Sequence, residues 1–91
     1  MSAVEQRNAE IEAERSELER VGAEMARGRN RLENQRQLVA DLRVQGRDVA
    51  QAERLAGLLD QTLQQWECHR SLIEQRIAYL ERLNANPSLR I

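Results

Sequence analysis

Apolar residues fall at every seventh position through most of the first half of the chain. Val4, Ile11, Leu18, Met25, Leu32 and Val39 stand at strict heptad spacing, six in a row. A seven-residue period sits close to two turns of an α-helix, so the run lays one apolar stripe along one side of a helix. Val21 and Leu42, three residues beyond two of these positions, widen it. No proline interrupts residues 3 to 44, and the spacing predicts one helix of about that length.

Gly46 then supplies a residue that takes positive φ without a Cβ penalty, as a helix C-terminus often requires. Asp48 follows as an N-cap, with Gln51 three residues on as its capping-box partner. Residues 45–48 are therefore a stop, a tight turn and a restart, and a link this short folds the second helix back antiparallel onto the first. Helix 2, about 49–84, carries Ala52, Leu59, Trp66, Ile73 and Leu80 at heptad spacing. Leu55, Leu58, Leu63, Leu72, Ile77 and Leu83 flank that series on both sides. Pro87, preceded by Asn84 and Asn86, is expected to end the helix, leaving 85–91 as a tail.

The expected fold class is all-α: residues 1–91 as a single antiparallel, coiled-coil-like helical hairpin that dimerises into a four-helix bundle. Association enters because helix 2 has a wider apolar face than one neighbour covers. A chain of 91 residues is also short for a self-sufficient core. There is no Phe, one Trp and one Tyr, so Leu, Ile, Val and Ala must build that core. The residues expected at buried interfaces are Val4, Ile11, Leu18, Met25, Leu32, Val39, Leu55, Leu59, Leu63, Trp66, His69, Ile73, Ile77 and Leu80.

Charge adds orientation. Residues 1–26 carry seven Glu against three Arg, whereas residues 27–47 carry six Arg against Glu33 and Asp41. Two copies laid antiparallel match opposite charges, and parallel copies align like with like. A second regularity sets Glu53, Asp60, Glu67, Glu74 and Glu81 seven residues apart on helix 2, against Arg15, Arg29, Arg36 and Arg43 on one line of helix 1. These rows read equally well as an inter-helix ladder or as two solvated faces.

The net charge of −1 gives no global field for nucleic acid, an anionic membrane or an acidic substrate. No run approaches a membrane span, and residues 1–6 lack the apolar core of a signal peptide. One cysteine, Cys68, makes no internal disulfide. A cytoplasmic location is the expectation.

Chemistry-bearing groups are sparse. His69 is the one histidine, three after Trp66 and four before Ile73. A four-helix bundle with a surface histidine invites comparison with phosphorelay proteins. The following residues, Arg70-Ser71-Leu72, lack the acidic neighbour and proline of histidine-kinase dimerisation domains and the Lys-Gly of phosphotransfer proteins. A polar position helping to set register is the expected role, its ring partly buried by association. Cys68 and His69 are adjacent, and adjacent helical side chains diverge by about 100°, so they do not form a metal pair. Arg27, Arg29 and Arg31 splay around the helix with no aromatics between them for base stacking. The acidic cluster Glu10, Glu12, Glu14 and Glu17 suits the helix dipole better than catalysis. No catalytic, cofactor-binding or metal residues are assigned.

The stretch Asn34-Gln35-Arg36-Gln37-Leu38-Val39, Leu42-Arg43, Gly46-Arg47-Asp48, Ala52-Glu53-Arg54-Leu55 and Leu58-Leu59 resembles small uncharacterised bacterial helical-hairpin proteins with a Gly-Arg-Asp or Gly-His-Asp turn. The resemblance covers about a third of the chain; it implies a helical hairpin and brings no activity, cofactor or functional residue. The expected function is non-enzymatic: a structural or protein-interaction module acting through a self-associating hairpin, a homodimer with room for a helical protein partner. The alternatives are a regulatory adaptor that completes a bundle on a signalling partner, and an RNA- or DNA-binding hairpin dimer. Neither a membrane nor nucleic acid is the expected partner.

Overall fold

A computed structural model describes residues 2–86. It contains two helices, α1 (Ala3–Val44) and α2 (Ala50–Ala85). The 42 residues of α1 and 36 of α2 correspond to roughly 63 and 54 Å of helix at 1.5 Å per residue. The expected boundaries of α1 are met, and α2 begins one residue later and ends one residue later than the spacing implies. The stop assigned to Pro87 and most of the expected tail lie outside the described residues.

Local chemistry accounts for each helix end. Ser2 opens α1, its Oγ accepting the Glu5 amide at 3.1 Å. This is the serine half of a Ser-x-x-Glu cap that the heptad reading passes over. At the other end Gly46 takes φ 69°. Its amide donates to the Arg43 carbonyl at 3.0 Å, and the Arg47 amide reaches back to Leu42 at 2.9 Å. These paired bonds form a Schellman stop, which satisfies two carbonyls the helix would otherwise leave open. Asp48 Oδ1 then accepts the Ala50 amide at 3.0 Å and starts α2. Gln51 stands exposed and, among the described residues, bonds Asp48 in neither direction, so the expected capping box does not form. The carboxylate holds the Ala50 amide instead, and the first helical carbonyl is that of Val49, which accepts the Glu53 amide at 2.8 Å. Gly46→Val should cost about 1–2 kcal/mol by forcing a β-branched residue into a left-handed conformation. Asp48→Ala should cost about 1 kcal/mol. Urea melts of both variants check these values.

The helices pack in two units, Met1–Gly22 with Cys68–Ile91, and Ala23–Glu67. In the terminal unit Ile11 and Val21 of α1 lie buried with Ile73, Ile77 and Leu80 of α2. Its outer end is polar: Arg7 Nε donates to Asn84 Oδ1 at 2.7 Å, and Asn84 Nδ2 donates to Asn8 Oδ1 at 2.9 Å. In the turn unit Met25, Leu32 and Val39 are buried together with Leu63. Gln35 Nε2 also crosses to the Ala52 carbonyl at 3.0 Å. Among the described residues the buried set is wholly apolar.

Two helix-interior glycines are not there to let backbones approach. A Cβ at Gly22 would meet nothing within 4 Å, and one at Gly28 would sit 3.5 Å from Leu63 Cδ1, an ordinary contact. Glycine inside a helix costs roughly 0.5–1 kcal/mol relative to alanine. Gly22→Ala and Gly28→Ala together should therefore raise stability by about 1–2 kcal/mol, read as a higher denaturation midpoint.

Candidate interaction face

The seam leaves a flank on each side of each helix, and in the turn unit the two flanks differ. On one side run the expected charged rows. Arg36 lies 3.9 Å from Asp60, and Arg43 pairs with Glu53. In the terminal unit Arg15 reaches Glu81 at 3.3 Å on the same heptad rows. Each step of seven forward on α1 is a step of seven back on α2, so these pairs record an antiparallel register. The groups are largely exposed, and such pairs contribute roughly 0–1 kcal/mol each. Their value is in alignment. Gly22, where the arginine row is broken, leaves Glu74 to pair along its own helix with Arg70.

The other flank carries Glu10, Glu17, Glu24, Arg31 and Leu38 on α1 and Leu55, Thr62, His69, Arg76 and Leu83 on α2. In the terminal unit it is ionic. Arg76 lies 3.7 Å from both Glu10 and Glu14, and His69 Nε2 is 3.5 Å from Glu17. Arg20 donates to the same Glu17 carboxylate at 2.9 Å. That hydrogen bond holds the Glu17 carboxyl below its usual 4.5; partial desolvation opposes it, and the Arg20 charge and His69 add to it. A carboxyl with a lowered folded pKa contributes stability in full above its unfolded value, and loses it as pH falls through the folded value. Wild type and Glu17→Gln should therefore differ in thermal midpoint above pH 4.5 and converge on further acidification.

In the turn unit this flank begins with the ion pair of Arg27 and Glu24 and becomes apolar toward the turn. Leu38, Leu55 and Leu58 are 46%, 47% and 59% exposed, and with Leu42 they floor an open trough of about 660 Å³. Arg47 and Arg54 stand on its rim, and Arg31 lines its extension beside Leu59. None of these three arginines has an ion-pair partner among the described residues. The volume falls in the range of small-molecule pockets, but such pockets enclose most of their ligand. The trough is open along two helices, and Asp48, Gln35 and Gln51 line it beside the leucines and arginines.

The residues expected at interfaces separate by place. Ile11, Met25, Leu32, Val39, Leu63, Ile73, Ile77 and Leu80 are consumed by packing inside the single chain. Leu18, Leu59 and Trp66 are half-buried along the same seam. Val4 is 39% exposed near the start of α1, and Leu55 lies in the trough. His69 is exposed on the flank, and in the single chain its ring faces Glu17. Leu38 and Tyr79, also exposed, lie outside the expected interface set, and Leu58 and Leu72 stand beside it as flanking residues. The signal for them is a second row one residue before each heptad position: Leu38 before Val39, Leu58 before Leu59, Leu72 before Ile73, Tyr79 before Leu80.

Cys68 is exposed, and among the described residues no group of three or more His, Cys, Asp or Glu could hold a metal ion. Among them, too, no helix is long and apolar enough to cross a membrane. No protein family, curated protein or solved structure matches the chain.

Proposed function

We propose that this protein is a non-enzymatic interaction module of the cytoplasm, which self-associates through its hairpin into a four-helix bundle. The observation that carries this reading is the trough of the turn unit. There three leucines lie about half exposed side by side, while the chain's own seam is already filled. Contiguous apolar surface on a small helical chain marks a place where another helix packs. The heptad pattern says which kind of helix: one with the same period and a leucine-rich face.

Sedimentation at micromolar concentration should give a particle near twice the 10.5 kDa chain mass. The thermal midpoint should also rise with protein concentration, because association stabilises the folded chain by mass action. A folded monomer with a midpoint independent of concentration would overturn the proposal.

A further inference from the structure

We propose that two copies meet trough to trough through their turn units, with both turns at the same end, so that α1 of each copy lies on α2 of the other. This inference rests on the self-association reading and specifies its geometry.

The edges of the trough carry it. Successive helical residues stand about 100° apart, so Asp41 lies about 60° from Leu38 on the side away from the seam, and Arg54 about 40° from Leu58 in the same sense. Each helix thus presents leucine to the trough and a charge at its outer edge, acidic on α1 and basic on α2. The Arg43–Glu53 pair records the register of the two helices, and by it Asp41 and Arg54 stand at nearly the same distance from the turn. Both are exposed, and both belong to the one unit Ala23–Glu67. Neither has an ion-pair partner among the described residues; Asp41 accepts only the neutral Gln37 Nε2, at 2.9 Å. These charges are free for a second copy to use.

Symmetry then separates two dimers. Hairpins packed face to face are related by a two-fold axis that runs either along the helices or across them. An axis along the helices keeps each level of one copy beside the same level of the other and exchanges left with right. Asp41 then faces Arg54 of the other copy at both edges, while Leu38 and Leu42 lie over its Leu58 and Leu55. An axis across the helices, passing through the leucines, lays α1 on α1 and α2 on α2. It brings Asp41 against Asp41 and Arg54 within about a turn of Arg54, and like charges held opposite are unfavourable. In the first dimer α1 meets α2 and not its own duplicate, so the like charges that adjacent parallel copies of α1 would oppose are kept apart.

Cross-linking reads the orientation. Asp41→Cys and Arg54→Cys are made in separate full-length chains, each also carrying Cys68→Ser, and the two are refolded together and oxidised. A disulfide between unlike chains, identified by mass, is the expected product. A dominant product joining two Asp41→Cys chains overturns the arrangement and leaves self-association standing, as does a dimer in sedimentation that forms neither product. A monomer overturns both readings. Charge exchange tests the contact itself. Asp41→Arg and Arg54→Asp should each weaken the dimer by about tenfold, since each sets two like pairs across the interface, and the chain with both changes should recover most of that loss. Both side chains are exposed in the single chain, so neither change disturbs the seam. Single reversals without effect, or a double variant that fails to recover, overturn the Asp41–Arg54 contact.

Discussion

Met25→Ala is expected to cost about 2–5 kcal/mol of stability, the usual range for removing a large buried side chain and leaving part of its volume empty. Met25 is 1% exposed and, with Val21, is one of the largest fully buried side chains described. It lies in a run of α1 whose only other buried neighbours within a heptad are Val21 and Leu32, so no nearby side chain can swing in to fill the space. A seam between only two helices relaxes poorly, because the helix backbones on either side are held by their own hydrogen bonds. Equilibrium unfolding in urea at one fixed protein concentration measures the loss, and the fixed concentration matters because folding and association are expected to be coupled. Leu18→Ala, at a half-buried position of the same heptad series, should lose less. Equal losses at the two sites, or a loss at Met25 below about 1 kcal/mol, would contradict the packing described for the turn unit.

The seam and the turn were legible in the sequence because each rests on a local rule. Six apolar residues at a strict period leave one helical face, and Gly46 before Asp48 places the break between helices to within a residue. The charged ladder was half legible. The two rows are visible in the sequence, but whether they meet depends on the helices being antiparallel and in one particular register; only then does Arg36 reach Asp60. The candidate face was the least legible part. Leu55 had the right type and spacing for the intrachain seam, yet its position relative to Ala52 and Leu59 turns it out of that seam and onto the flank. Leu38 is hidden in the sequence beside Val39, since adjacent residues on a helix point about 100° apart and only one of the two can face the partner helix. Where that flank turns apolar is a three-dimensional result: ion pairs occupy it through the terminal unit and as far as Glu24 and Arg27, and leucines take the same rows near the turn.

Leu38→Ser, Leu55→Ser and Leu58→Ser combined should leave the chain monomeric. Fully burying a leucine contributes roughly 1.5–3 kcal/mol. These three are already about half covered within the single chain, so each has on the order of 1 kcal/mol left to gain from a partner. An interface related by a two-fold axis counts each residue twice, and losses of that size weaken association by on the order of a thousandfold or more. None of the nine buried residues is touched, so the substitutions act on the face and not on the seam. Sedimentation should show the 10.5 kDa chain mass at concentrations where wild type is dimeric, and the thermal midpoint should no longer move with concentration. Arg29→Ser, on the ladder side of α1, serves as the control and should leave the dimer intact. If the triple variant remains dimeric, the copies meet elsewhere and the leucine trough is not the association face. If Arg29→Ser dissociates them, the charged flank is the interface and the assignment of the two sides is reversed.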